Sequence, residues 1–425
     1  MQFKNNLLFA RAADRNDPLK NFRKEFLLPK IKKQTLIYLN GNSLGLQPRQ
    51  TKQFLNQELK DWAQKGVEGH FSAHRPWLHY HKNSKKVLAR LTGAKTSEVV
   101  AMNQLTINLH LMMVSFYRPS AKRFKIIIEA GAFPSDRYAV ESQIRFHGLK
   151  PEDALITIGP RAGEHLIRTE DIITLIQQHG DGLALVMLGA VQYYTGQFFN
   201  IRAITQAAHG VGAIAGFDLA HAIGNVPLKL HDDQVDFAVW CSYKYLNAGP
   251  GGIAGAFVHE RHGNNADLPR FQGWWGHLES ERFLMKDDFI PMTGADGWQV
   301  SNFPVLAGAP QLAALDIFDR AAFTQVRRKS IQLTGYLEFL LKDILNTFPY
   351  FEIITPASSS ERGCQLSVRF RKNGKTIFKK LHHAGVITDW REPDVIRVAP
   401  VPLYNTFEEV FRFCSILKKS CAAVK

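Results

Sequence analysis

The sequence predicts an α/β protein, a mostly parallel sheet with helices on both faces, joined to a smaller α+β region. Two observations carry this reading. From about residue 95 onward, short apolar runs of strand length alternate with amphipathic segments of helix length, and after about residue 305 a long helical stretch replaces that rhythm. Alternation of this kind signals βαβ units, whose crossover helices cover a parallel sheet.

The chain begins with an arm that contains "LIYLNGNSLG" at residues 36–45. Its Gly41-Asn42-Ser43-Leu44-Gly45 matches the G-x-S-x-G nucleophile elbow of serine hydrolases. A strand-like run precedes the match, and a helix-like run follows with Pro48 near its first turn. A hydrolase elbow needs several strands and an oxyanion loop before the serine, yet only about forty residues precede Ser43.

Seven stretches then read as strands: "SEVVAMN", "FKIIIEA", "DALITIG", "LALVMLGAV", "GAIAGFD", "VDFAVWCS" and "GIAGAFVH". Between them "TINLHLMMVSFY", "DRYAVESQIRFHG", "TEDIITLIQQHG" and "IRAITQAAHGVG" have helical spacing and end in Gly or turn residues. Residues 306–348 read as a long helical stretch, followed by the strand and helix candidates "FEIITP", "CQLSVRFR", "KTIFKKLHHAG", "DVIRVAP" and "TFEEVFRFCSILKKS". The division expected is an N-terminal arm over residues 1–60 packing with the small domain, a large domain over 61–305, and a small C-terminal domain over 306–425.

Composition narrows the class. With 45% hydrophobic and 21% charged residues, the chain of 425 residues belongs with ordinary globular proteins large enough for more than one core. The N-terminus resembles neither a signal peptide nor a transmembrane start, and the longest apolar run, "GLALVMLGAV", is too short to span a bilayer. Four scattered cysteines, without a C-x-x-C pair, suit a reducing cytoplasm. The net charge of +15 raises the question of nucleic acid, but the basic residues lie apart and lack aromatic interleaving, as on a solvated surface. His70, His74, His79 and His81 crowd into "HFSAHRPWLHYH", a spacing that fits no zinc motif, so no metal is expected. "NAGPGGIAG" lacks the G-x-G-x-x-G register of a dinucleotide site.

Ligands of such sheets bind outside the carboxyl ends of the strands, so the residues after each strand carry the chemistry. After "SEVVAMN", Leu105 and Thr106 open a helix whose free N–H groups can seat a phosphate, although Thr106 also reads as a plain N-cap. After "FKIIIEA", Phe133 and Pro134 can present a flat apolar face beside Ser135 and Asp136; a loop with a capping residue is the plainer reading. Asp218, with His221 close behind, ends one strand, and Tyr243 and Lys244 follow another. An acid that keeps a pyridine nitrogen protonated, and a lysine that forms a Schiff base, are what pyridoxal phosphate requires.

These residues sit in longer words: "GNSLGLQP", "NQLTINLHLM", "FPSDRYAVESQ", "YYTGQFFNI", "GFDLAHAIGNV", "DFAVWCSYKYLNAGPGGIAGAFVHERH", "GWWGH", "VSNFPV" and "IRVAPVPLYN". In this order, from about residue 38 to 406, they resemble the kynureninase family, pyridoxal-phosphate enzymes of fold type I, the aspartate-aminotransferase fold. The resemblance implies hydrolysis of L-kynurenine or 3-hydroxykynurenine to anthranilate or its hydroxy form plus L-alanine, within tryptophan breakdown or NAD synthesis. It implies a homodimer with interface sites, no nucleic acid and no membrane. Lys244 would hold the cofactor as a Schiff base, Asp218 would pair with the ring nitrogen, His221 would support that end, and Phe133 would lie on the ring face. Leu105, Thr106, Tyr243 and Trp274 would hold the phosphate, and Pro134, Ser135 and Asp136 belong to the same cofactor loop. Tyr243 is the candidate proton donor. Trp274 and Asn302 would belong to the interface side; Ser43, His70, Ser301 and Asn302 would meet the substrate, and Arg397 its α-carboxylate. The family commonly has a hydroxyl residue where Gly189 stands, which puts one cofactor hydrogen bond in question. Another fold-type-I activity, a class V aminotransferase or a cysteine desulfurase, is the alternative.

Overall fold

All seven expected strands form one sheet in the computed structural model, which describes residues 2–424. They are β1 Val99–Ala101, β2 Lys125–Glu129, β3 Leu155–Ile158, β4 Leu183–Gly189, β5 Ile214–Asp218, β6 Phe237–Trp240 and β7 Gly255–Val258. Their order across the sheet is β1-β7-β6-β5-β4-β2-β3. The pairs among β2 to β6 are parallel, and only β7 runs against both its neighbours.

The strand sequences explain their placement. β4 is buried along its length except at Gly189, as a strand covered on both faces by helices must be. The covering helices are α1 Leu105–Phe116, α2 Pro134–Phe146, α3 Thr169–His179 and α4 Ile201–Gly210. Pro134 supplies the first residue of α2, where its missing N–H costs nothing, and the Asn200 side chain caps α4 by accepting from the Ala203 N–H at 3.1 Å. With the sheet's parallel strands pointing the same way, the ends of β2, β4, β5 and β6 converge on one edge, and the functional residues follow directly from them.

The stretch after residue 305 forms two helices, α5 Val305–Ala321 and α6 Phe323–Thr347, rather than one run. Ala322 separates them with φ 53°, a left-handed conformation that no continuous α-helix tolerates. A second sheet follows, with β8 Phe351–Ile353, β9 Leu366–Phe370, β10 Asp389–Arg391 and β11 Val395–Val398 in the antiparallel order β8-β9-β11-β10. It packs with α6, α7 Gly374–His383 and α8 Phe407–Ala422 around a core that includes Leu337, Leu366, Ile396 and Phe413.

The N-terminal arm joins this second core. Ala10 and Ala13 are buried in it, and the Asp14 carboxylate accepts from the Phe407 and Glu408 N–H groups at 2.7 and 3.0 Å, adding to the cap of α8. Ile37–Tyr38 pairs in parallel with Val386–Ile387, so the arm also extends a strand of this half. Asp17 and Lys329 form an ion pair of 2.7 Å with both side chains only 4% exposed, and Lys329 also donates to the Pro402 carbonyl at 2.6 Å. Removing one partner of such a pair strands the other charge. Lys329→Ala is therefore expected to destabilise the protein by about 3–5 kcal/mol in denaturant unfolding, and a loss below about 1 kcal/mol would show the pair to be solvated.

Candidate active site

The cleft lies where the strand ends converge. It is lined by Leu105, Thr106, Glu129, Phe133, Ser135, Asp136, Gly189, Val191, Tyr193, Asp218, Ala220, His221, Tyr243 and Lys244. Ten of the residues singled out from sequence, Gly189 included, are among them, drawn from five separate strand ends.

Each is positioned by the element it follows. Asp218 is the last residue of β5, fully within the protein, and its Oδ1 accepts from the Ala220 N–H at 2.6 Å. His221 follows in the same turn, and its Nε2 lies 3.0 Å from Lys244 Nζ, which reaches in from the loop after β6. Phe133 stands at the entrance to α2, with its ring 5.6 Å from Lys244 Nζ and edge-on to Tyr193 at 5.3 Å. At the first turn of α1, Thr106 Oγ1 and Ser135 Oγ lie 2.7 Å apart, a pair of hydroxyls beside unpaired helix N–H groups.

Burial sets the electrostatics. It pushes the Asp136 carboxyl well above the usual range, with the neighbouring Asp218 adding to the effect, and it raises Asp218 more mildly because Asp136 and Lys244 act against it. His221 is held well below its ordinary value by burial and then by Lys244, Arg397 and Arg391, so its imidazole is neutral. Burial likewise raises the Tyr243 hydroxyl, which keeps its proton at neutral pH.

The residues present suit pyridoxal phosphate. An amine and a buried acid face one cleft, an aromatic ring flanks it, and a helix N-terminus with two hydroxyls offers a phosphate seat. Two buried polar atoms in the cleft, His221 Nδ1 and Asp136 Oδ1, have no partner within the chain, which leaves donor and acceptor capacity for a polar ligand.

The arm bearing "GNSLG" lies against the lysine loop. Gly45 donates its N–H to the Tyr243 carbonyl at 2.8 Å, and Tyr38 Oη donates to the Leu44 carbonyl at 2.7 Å. Ser43 turns on a backbone bond from its N–H to the Asn40 carbonyl at 3.1 Å and does not line the cleft. Arg397, fully buried on β11, sits behind Tyr193: it donates to the Tyr193 carbonyl at 2.9 Å, and its guanidinium faces Asp389 at 3.1 and 2.9 Å.

The remaining sequence-derived residues stand apart in the single chain. His70 packs on Trp77 at 5.4 Å, Trp274 is 43% exposed and donates to the Arg282 carbonyl at 3.2 Å, and Ser301 and Asn302 are exposed. Pro134 serves as the start of α2 beside the cleft. The histidines around His70 do not converge either: His79 meets Glu279 at 2.8 Å, while His81 is buried without a hydrogen bond, its pKa lowered to about 3 by burial and nearby lysines. Sequence reading missed Glu129, Tyr193 and Asp389. Two had a visible signal: Glu129 is an acid at the end of the apolar run "FKIIIEA", and Tyr193 opens the word "YYTGQFFNI".

A Cβ on Gly45 would overlap the Lys244 carbonyl and Asn247. Gly45→Ala is expected to force the arm off the lysine loop, at about 1–3 kcal/mol in thermal or denaturant unfolding. An alanine variant as stable as the parent would show that this approach is not tight.

The comparisons with known proteins agree with this geometry. The chain is 52% identical over 420 residues to the kynureninase of Flavobacterium psychrophilum, covering 99% of both chains, and 54% identical over 417 residues to that of Myxococcus xanthus, covering 98% and 97%. Residues 326–417 match the family model described as the kynureninase C-terminal domain. Among solved structures it is similar in fold to a cysteine desulfurase of Escherichia coli, with TM-score 0.76 and 17% identity over 95% of this chain and 98% of that one. A variant of the enzyme C-DES, with glycine covalently linked to its pyridoxal-phosphate cofactor, gives TM-score 0.75 and 17% identity over 93% and 98%. With near-complete coverage by relatives of this identity, and with the seven-stranded sheet and its lysine-bearing cleft, the chain belongs to the kynureninase family.

Proposed function

We propose that this protein hydrolyses L-kynurenine, or its 3-hydroxy form, to anthranilate or 3-hydroxyanthranilate and L-alanine, using pyridoxal phosphate held on Lys244. The observation that carries the reading is the meeting of Lys244, His221 and Asp218 in one buried cleft, with Nζ and Nε2 3.0 Å apart. Pyridoxal phosphate, when bound, supplies a ring that withdraws electrons from the substrate carbon next to the amine.

The chain's own groups supply the rest. Asp218 would hold a proton on the ring nitrogen, and neutral His221 stacks no second charge beside it. Thr106, Ser135 and the first N–H groups of α1 would take the phosphate, with Phe133 against the ring. Lys244, the one lysine lining the cleft among the described residues, accepts the α-proton. Positioned proton transfer of this kind is worth roughly 10²- to 10⁴-fold. Tyr243 arrives with its proton held by burial and can pass it to the carbon or oxygen freed when water adds to the γ-carbonyl and the β–γ bond breaks. Arg397 would receive the α-carboxylate through its planar fork. Ser43, in the arm against the lysine loop, and His70 would meet the rest of the substrate.

A desulfurase would need a reactive, mobile cysteine. All four cysteines are buried, and burial pushes Cys241 up to about 11. Their free thiols favour a reducing compartment, and we place the protein in the cytoplasm; among the described residues no helix is long and apolar enough to cross a membrane. We further propose a large domain over 61–305, a small domain over 306–425 joined by the arm over 1–60, and a homodimer in which Trp274, Ser301 and Asn302 reach the partner's cleft. Phe271, Trp274, Phe283, Leu284 and Met285 form an exposed apolar surface that supports such an interface.

Lys244→Ala is expected to abolish both turnover and the yellow colour of the loaded protein; an active, coloured variant would refute the assignment. Mixing inactive Lys244→Ala with inactive Trp274→Ala chains should restore activity, since one mixed dimer site then contains neither defect. Mixtures that stay inactive after subunit exchange would place Trp274 in its own chain's site.

A further inference from the structure

We propose that Glu129, which lines the cleft, is held there as a neutral acid and acts as a positioning residue for the group that fills it. This rests on the pyridoxal-phosphate reading above.

The geometry begins with three neighbouring strands. Glu129 ends β2, Gly189 ends β4, and Gly189 pairs in register with Asp218 at the end of β5. Both Glu129 oxygens face the Gly189 N–H at 3.3 Å, a long and shared contact, and among the described residues Glu129 makes no ion pair. A Cβ at position 189 would come within 3.1 Å of Glu129 Oε1, so the missing side chain gives the carboxyl its seat.

The surrounding cations are engaged elsewhere: Arg397 and Arg391, behind Tyr193, both face Asp389. Asp136 from α2 and Asp218 from β5 face the same cleft and share the single Lys244 amine; His221 is neutral, and the Tyr193 and Tyr243 rings contribute no cation. Three carboxyls against one amine cannot all ionise in a buried space: Asp136 and Lys244 act to lower Asp218, whereas burial holds protons on both Asp136 and Glu129. Burial, with Asp218 adding, accordingly pushes Glu129 up to about 7.

Ionisation of Glu129 above neutral pH adds a negative charge beside an anionic cofactor. It also weakens the folded chain: the folded protein keeps this proton to about pH 7 while an unfolded glutamate loses it near 4.5, so the stability it confers is complete below 4.5 and falls as pH rises through 7.

The test uses full-length protein stripped of cofactor. Wild type and Glu129→Gln are titrated with pyridoxal phosphate between about pH 6 and about pH 8.5, following the yellow band. The ratio of wild-type to variant dissociation constant is expected to lie near unity at the low end and to rise about fivefold or more at the high end. The melting advantage of the cofactor-free variant should grow from the low end to about pH 7 and level off above it. A ratio that stays flat, or a variant that binds about tenfold more weakly even at the low end, would overturn the proposal, since either means that a carboxylate is required or absent from the balance. Gly189→Ala, which crowds the carboxyl, offers a second route: it should move the pH at which wild-type affinity declines, and an unmoved profile counts against the idea. If wild type never develops the yellow band, the cofactor reading itself falls, whereas a flat ratio with normal binding removes only the role of Glu129.

Discussion

The close approach between the arm and the lysine loop is the constraint on which the site depends. Parallel strands deliver Asp218 and Lys244 to one edge of the sheet, but a loop leaving a strand end has no fixed course of its own. Here the Gly45 N–H bonds the Tyr243 carbonyl at 2.8 Å, one residue before Lys244. That bond ties the lysine to a segment whose other contacts lie in the second half of the chain: Tyr38 accepts through its carbonyl from Asn405 Nδ2 at 2.9 Å, and Leu39 bonds Ile387 and Ala399 through its backbone. The cleft is therefore held between two hydrophobic cores rather than presented on one.

The same arrangement determines the electrostatics. Three carboxyls within a closed cleft would be untenable beside a single amine, so protonation must be distributed among them, and His221 must remain neutral. Tyr243 keeps its proton because burial disfavours the charged phenolate. Pairs of groups whose environments push their proton affinities apart are what acid–base chemistry at neutral pH requires.

Much of this was legible in the sequence. The seven strands are local features, short apolar runs bounded by Gly and polar residues, and each appears where its run lies. Asp218, His221 and Lys244 were readable because the strand-end rule selects a few positions for scrutiny. The break at Ala322 was not, since alanine gives no sign of a left-handed conformation imposed by the packing of two helices. Glu129 was masked by the apolar run that carries it, and Tyr193 and Asp389 matter only through partners far away in the chain. Ser43 looked like a nucleophile because an elbow and a turn share the same glycines; here Gly41 makes room for the Tyr404 and Val401 side chains and Gly45 for the Lys244 carbonyl.

Asp389 shows how a buried guanidinium is balanced. Arg397 is fully buried, and an isolated guanidinium there would carry a large desolvation cost, so the fold supplies Asp389 directly opposite it across the β10–β11 pair. Asp389 also meets Arg391 Nε at 2.9 Å, and both guanidiniums lie near the Tyr193 ring, at 5.8 and 6.0 Å. One carboxylate between two arginines leaves a net positive charge at the rear of the cleft. A carboxylate arriving beside Tyr193 would meet that charge with Asp389 still offsetting only part of it. Burial is the main reason His221 stays neutral, and the charges of Lys244, Arg397 and Arg391 add to it, a field that would also favour an anion beside the lysine.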